Sequence, residues 1–389
     1  MSDKKNQTMS NIHNSSINKS FSQTRKIGAP ENVKIQQLFK LMVESGGSDL
    51  HITVGTPPGL RVNGEIIRVK ISSLNASDTK RLIYQVLSEE HRNEFEKNFE
   101  LDFSFGIKGL ARFRANVFYS KGGVAGVFRV IPSIIPDVET LSLPRVLLDM
   151  TNTSNGLVLV TGPTGSGKST TLAALLDYLN ERQPGHIITL EDPVEFVHPH
   201  KACIVNQREM GTDSLSFHQS IKSLLRQDPD IVLIGEMRDA ETIEAALTVA
   251  ETGHLVFGTL HTNNCVQTVN RLINVFPSHQ QDQIRTVLSF VLQGVVSQQL
   301  MTKTFEPGRV AAHEVMLPTS AIRNLIRDDK VHQIYSQMQV GQDKTGMMTM
   351  NQSLSKLVEK GVIDADKAME YTTMPEELAQ KLGVKKKML

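Results

Sequence analysis

The sequence has no tryptophan, two cysteines and few aromatic residues, 5% of the chain. Cys203 and Cys265 form no C-x-x-C pair, so neither a disulfide framework nor a structural zinc site is indicated. Two reduced, buried and inert thiols fit the cytoplasm. Charge of either sign is also not in excess: 42 basic residues face 41 acidic ones, for a formal net charge of +1. A nucleic-acid motor would want a basic channel lined with aromatic stacking platforms, so no nucleic-acid partner is expected. No apolar run approaches the ~20 residues of a membrane span. Residues 1–32 lack the apolar stretch of a signal peptide; rich in Ser, Asn, Gln and Lys, they are expected to be a disordered tail.

What is present suits a soluble protein of two domains. The chain has 389 residues, 39% apolar and 21% charged, and no evident internal repeat. Ile35, Leu38, Phe39 and Met42 follow helical spacing, ended at Gly46–Gly47. SDLHITV reads as a strand, and LRVNGEIIRV as a hairpin turning at Asn63–Gly64. A helical segment is predicted at about 77–98, opened by Ser77–Asp78. LDFSFGI, ARFRANVFYS and GVAGVFRVIP alternate like an antiparallel meander, giving an α+β domain over 33–131. Pro132 and Pro136 mark a linker over 132–152. From 153 the style changes. The apolar runs LVLVTG, HIITLED, DIVLIGE and HLVFGTL alternate with helical patterns, the mark of an α/β fold with a buried, mostly parallel sheet. From about 280 the chain reads as mostly helical.

The strongest motif is GPTGSGKST: Gly162, Pro163, Thr164, Gly165, Ser166, Gly167, Lys168, Ser169 and Thr170. It follows an apolar strand and opens a helix, the context a phosphate-binding loop requires. The glycines let backbone N–H groups turn inward, where they and the helix N-terminus stabilise phosphate charge. Lys168 should reach the β- and γ-phosphates of ATP, and the Ser169 hydroxyl should ligate Mg²⁺.

Three further segments belong with it. In DPDIVLIGEMRD a strand ends with Gly235 where an acid is usual, and Glu236 carries the carboxylate, expected to hold Mg²⁺ through water or to pair with Arg238. In HIITLEDPVEF both Glu191 and Glu195 are candidates to orient the attacking water; Glu195 is slightly preferred, because Pro193 turns the chain and can aim it back at the γ-phosphate. In ETGHLVFGTLHTNN, His254 and His261 bracket a strand and so lie at its opposite ends, which makes a shared metal a poor reading. His261 and Thr262, at the C-terminal end, are expected to sense the γ-phosphate, whereas His254 is expected to be a buried structural histidine.

These four segments, in this order and spacing, resemble the secretion ATPase (GspE) superfamily, whose members drive type II secretion, type IV pili and related systems. That family terms them Walker A, Asp box, atypical Walker B and His box. The resemblance covers residues 33–375. It implies a PAS-like N-terminal domain over 33–131, opened by GSDLHI, a RecA-like P-loop core over 153–317 and a helical C-terminal region over 318–389. Within the superfamily the chain is most similar to the type IV pilus retraction ATPases. GRVAAHEVM at 308–316 resembles their strand after the core, and the four-cysteine zinc motif usual in extension and secretion relatives is missing. AIRNLIRDDK resembles their AIRNLIRE-type coupling motif, over Ala321, Ile322, Arg323, Asn324, Leu325, Ile326, Arg327 and Asp328, with Asp328 where Glu is common. Ile322, Leu325 and Ile326 form an apolar stripe; Arg323 and Arg327 lie four apart on another face. The long N-terminal tail departs from the pattern.

The resemblance implies a cytoplasmic homohexamer at the pilus base that hydrolyses ATP, with Mg²⁺, to power pilus retraction and twitching motility. Its implied partners are an inner-membrane platform protein and a paralogous retraction ATPase. An accessory retraction paralogue, or an extension or type II secretion ATPase, stands as the alternative. Sites between subunits would call for arginines supplied in trans. Arg112 and Arg114, two apart on one strand and so on one face, are candidates, with Arg129 a third.

Overall fold

The computed structural model describes residues 30–62, 65–132, 134–306 and 308–383. The Asn63–Gly64 turn, and the expected tail as far as residue 29, lie outside these residues. The chain divides into two compact units, Met1–Ser133 and Ile134–Leu389.

The first unit is built on an antiparallel sheet of β1 (Asp49–Ile52), β2 (Gly59–Val62), β3 (Glu65–Arg68), β4 (Glu100–Ile107), β5 (Ala111–Ser120) and β6 (Gly123–Ile131), in the order β3-β2-β1-β6-β5-β4. Alternation decides its faces: Phe113, Ala115 and Val117 of β5 are buried, while Arg112, Arg114 and Asn116 point the other way. The helix Ile35–Glu44 buries Ile35, Leu38, Phe39 and Met42, with the Phe39 ring stacked 4.5 Å from Phe113. The helical segment predicted at 77–98 is two helices, Ala76–Ile83 and Glu89–Asn98. The first is capped by Asn75, not by Ser77–Asp78. Asn75 Oδ1 accepts the N–H groups of Ser77 and Asp78, and Asp78 accepts that of Asn75 in return. The second starts where the Ser88 hydroxyl accepts the N–H of His91, a local bond that competes with continuing the first helix.

The second unit holds a seven-stranded sheet: β7 (Gly156–Thr161), β8 (Gly185–Glu191), β9 (Cys203–Glu209), β10 (Ile231–Ile234), β11 (Leu255–Leu260), β12 (Leu292–Thr302) and β13 (Arg309–Met316), in the order β13-β12-β7-β11-β10-β8-β9. All neighbours are parallel except β12 and β13. Every residue of β7, β10 and β11 is buried, which is why they read as unbroken apolar runs. Two apolar cores, one holding Leu159, Val232 and Leu272 and the other Val160, Leu175 and Phe257, pack against alternate residues of the strands. The expectation of a mostly helical chain beyond 280 fails at β12 and β13. The helix Ser278–Val291 runs directly into β12, whose Ser297 and Gln298 look like a helix surface in sequence but are buried beside β7. Helices then return. Met350–Glu359, Ala365–Tyr371 and Pro375–Leu382 enclose a small core of Leu354, Ile363, Ala368 and Leu378 against Met301 and Ala312. Among the described residues no helix is long and apolar enough to cross a membrane.

Candidate active site

The phosphate loop begins where β7 ends. It closes on the helix Lys168–Arg182, whose N-terminus therefore faces the C-terminal edge of the sheet. Gly162 at φ 142°, Gly165 at φ 80° and Gly167 at φ 88° occupy backbone conformations that side chains disfavour. At Gly162 space forbids a side chain as well: a Cβ there would collide with the carbonyl oxygen of Gln298 and with Ser166 Oγ. Lys168 is buried. Its Nζ donates to the carbonyls of Gly162 at 2.8 Å and Pro163 at 3.0 Å, which holds the ammonium across the mouth of the loop. Burial lowers its pKa, and the nearby Glu236 opposes that shift.

Several observations fit a bound polyphosphate. Ser166 Oγ is buried without a hydrogen-bond partner. The Lys168 ammonium is satisfied only by neutral carbonyls among the hydrogen bonds described. Ser169, in the first turn of the helix, keeps its side chain exposed, and Thr164 and Thr170 flank it at the surface or half-buried.

Sequence reasoning missed the support beneath this loop. Gln298, 3% exposed, donates from Nε2 to the Ser166 carbonyl at 2.7 Å and accepts from Thr171 Oγ1 at 2.8 Å. Its neighbour Ser297 is 2.7 Å from Thr161 Oγ1, at the end of β7. The contacts join residues more than a hundred positions apart, and the one local signal was a run of three polar residues, Ser297 to Gln299, inside an apolar stretch. Gln298→Leu leaves the Ser166 carbonyl and the Thr171 hydroxyl unsatisfied, at about 1–3 kcal/mol. The expected result is ADP binding weaker by about tenfold in calorimetry, with the fold retained by circular dichroism. Unchanged affinity would show that the loop holds its shape without Gln298.

Glu236 lies just past β10, where Gly235 donates its N–H to the Leu190 carbonyl at 2.7 Å and accepts the Thr259 hydroxyl. Its carboxylate accepts from Arg238 at 2.6 and 2.7 Å and is 3.1 Å from His261 Nε2. The Arg238 bonds, then the charges of His261, Arg238 and Lys168, hold its pKa below the usual carboxylate range against some burial. Thus the pairing of Glu236 with Arg238 exists, and the contact with His261 exists beside it.

Glu191 and Glu195 are placed differently. Glu191, 8% exposed at the end of β8, accepts from Thr189 Oγ1 at 2.6 Å and from Gln207 Nε2 at 3.3 Å, and its Oε2 lies 3.4 Å from the Glu195 N–H. Burial pushes its pKa up in spite of those bonds. The Glu195 side chain is exposed, as is that of Asp192, while the loop backbone is anchored by Val194 N–H donating to Glu209 at 3.0 Å.

His254 and His261 stand at opposite ends of β11. His254 is half-buried rather than fully buried: it sits over the last turn of the helix Ala240–Glu251, its Nδ1 3.0 Å from the Val249 carbonyl. A carbonyl at a helix terminus needs such a partner, and that open end lies at the surface. Thr262 continues inward instead, 2.6 Å from Thr268 Oγ1, which is 3.4 Å from Thr161.

The three arginines belong to the first unit. Arg114 of β5 is directly opposite Arg129 of β6, on the outer face shared with Arg112. Arg129 also binds the buried Asp49 at 2.8 Å. In the motif at 321–328, the helix Ser320–Arg327 buries Ile322 and Ile326, half-buries Leu325, and leaves Ala321 and Asn324 exposed. Its two arginines diverge. Arg323 donates to the Ser289 and Phe290 carbonyls at 2.6 and 2.8 Å, at the end of the helix Ser278–Val291. Arg327 and Asp328 are exposed, with Arg327 bound to Asn324 at 2.7 Å.

Known proteins place this geometry. The chain is 50% identical over 342 residues to the type IV pilus retraction ATPase PilT of Pseudomonas aeruginosa, covering 88% of this chain and 99% of that protein. It is 45% identical over 337 residues to a twitching motility protein of Neisseria gonorrhoeae, covering 87% and 90% of the two chains. Against the type IV pilus ATPase PilU of Pseudomonas aeruginosa the identity is 41% over 346 residues, covering 89% and 90%. A crystal structure of the pilus retraction motor PilT with bound ADP superposes at a TM-score of 0.85, with 50% identity, over 90% of this chain and 100% of that one. The type II/IV secretion system protein model matches residues 29–370, and the chain belongs to that family.

Proposed function

We propose that this chain is an ATP hydrolase that powers type IV pilus retraction. The carrying observation is convergence: Lys168, Glu236 and His261 come together at the C-terminal ends of adjacent parallel strands, where ligands of open α/β sheets bind. Identity to the retraction ATPase PilT exceeds identity to PilU over similar lengths, which favours the primary motor over an accessory paralogue.

In this reading residues 33–131 form a PAS-like domain, 132–152 a linker, 153–317 a RecA-like core and 318–389 the coupling region. The amides of 162–170 and Lys168 bind the phosphates. Ser169 and, through water, Glu236 would hold a magnesium ion, which would supply positive charge against the phosphates. The open Glu195 orients the attacking water, while the walled-in Glu191 fixes the loop that presents it. His261, joined to Glu236, and Thr262 sense the γ-phosphate. Catalysis is then positioning plus charge stabilisation. Arg112, Arg114 and Arg129 serve a neighbouring subunit of a hexameric ring. Arg114 stands directly opposite Arg129, whose charge Asp49 already meets from one side, so Arg114 is the freer of the two to meet an anion. The ring acts in the cytoplasm on an inner-membrane platform protein.

Release of phosphate from ATP by the purified chain tests the enzyme. Deletion of the gene tests the direction: abundant surface pili with lost surface motility are expected, and bald cells would overturn retraction. The outward Arg327 and Asp328, rather than the engaged Arg323, are the contacts toward the partner. Arg327→Ala with Asp328→Ala is expected to hold ATP turnover within about twofold, since surface substitutions away from the site perturb little, and to abolish motility. A parallel fall in turnover would place these residues in hydrolysis instead.

A further inference from the structure

Glu314 of β13 is 2% exposed, has no place in the roles above, and is bonded in two directions. Its Oε1 accepts the N–H of Cys265 at 2.7 Å, and its Oε2 accepts that of Met350 at 3.3 Å. These are the first residues of two helices, Cys265–Asn274 and Met350–Glu359. Each helix already has its own cap: Asn264 accepts from Gln267 at 2.8 Å, and Thr349 from Gln352 at 3.4 Å. Glu314 thus satisfies one more of the unpaired N–H groups at each start, and its charge faces the positive end of both dipoles.

The two helices serve different parts of the unit. Cys265–Asn274 follows His261–Asn264 immediately, and its Thr268 bonds Thr262. Met350–Glu359 belongs to the C-terminal helical region, which is fastened to β13 around the same position. His313 N–H donates to Ser353 Oγ at 3.0 Å, and Val315 and Met348 exchange backbone bonds of 2.7 and 3.1 Å. On its other side, β13 pairs Glu314 with Ser297, whose hydroxyl binds Thr161 at the foot of the phosphate loop. Burial pushes the Glu314 carboxyl up, and the Cys265 and Met350 N–H groups pull against that shift.

We propose that Glu314 is a positioning residue for turnover, whose single carboxylate locks the His261–Asn264 loop to the C-terminal helical region so that the two move as one piece. The inference rests on the ATPase reading. The link acts on how γ-phosphate contact is formed and broken, not on nucleotide affinity, because the described bonds of the Glu314 carboxylate go to Cys265 and Met350 and not to the phosphate loop.

The test uses the full chain with Glu314→Gln, which keeps the length but offers one N–H a donor instead of an acceptor. The expected result is a kcat lower by about tenfold or more, with KM for ATP and affinity for ADP within about twofold, the signature of a transition-state effect. Amide exchange should rise together at 264–268 and 349–353. Combined with His261→Ala, the two losses should be less than additive. Glu314→Asp, which keeps the charge on a shorter arm, should recover part of kcat. Parental kcat in Glu314→Gln overturns the proposal. So does a joint change in kcat, KM and melting temperature, or failure of both variants to fold, since either makes Glu314 a stability element only. If the parent chain itself releases no phosphate from ATP, it is the ATPase reading that fails.

Discussion

Lys168→Ala is expected to lower ATP turnover by at least about 10²–10³, the scale for losing a charged group aimed at developing charge in a site of this kind. The ammonium is already held at the loop mouth by the Gly162 and Pro163 carbonyls, so little rearrangement precedes phosphate contact. Its position is costly to the fold. It is buried, its charge is disfavoured there, and Glu236 is its main electrostatic support. Removing it relieves that burial, so the melting temperature should hold or rise while activity disappears. Phosphate release together with thermal melting decides the matter. Near-normal turnover would sink the assignment of this loop as the catalytic phosphate site.

Joint replacement of Arg112 and Arg114 by Ala is expected to cost about 10³ in turnover, the lower end for an arginine supplied to a phosphoryl-transfer site. Both lie on the face of β5 opposite the buried Phe113 and Ala115, with Arg114 exposed and Arg112 half-buried, so the first unit should remain folded. The informative experiment mixes this variant with Lys168→Ala. Each alone is expected to retain only a small residue of activity. If the arginines act in trans, roughly a quarter of the heterologous interfaces in randomly mixed rings join an intact Lys168 to intact arginines, and activity returns. Mixed rings that stay inactive would exclude a shared site.

Local chemistry made much of this legible. The phosphate loop is contiguous because it wraps one small group with consecutive amides. The strands of the buried sheet are apolar at every residue because helices cover both faces, and the runs at 156–161, 231–234 and 255–260 show it. The helix at 77–98 was misjudged because Ser88, one side chain, outweighed a helical pattern. β12 was misjudged because burial beside β7 tolerates Ser297 and Gln298 once each has a partner, and those partners lie on distant segments.

The sequence by itself determined the chemistry: a phosphate loop, the carboxylates near it and a histidine at a strand end. These follow from neighbours along the chain. Only the tertiary structure decided which acid is walled in and which is open, that His261 meets Glu236, and that Arg323 is occupied while Arg327 is exposed. It alone showed Gln298 beneath the loop and Glu314 between two helices. Burial and hydrogen-bond pairing are properties of what packs around a side chain, and here the packing partners are distant in sequence.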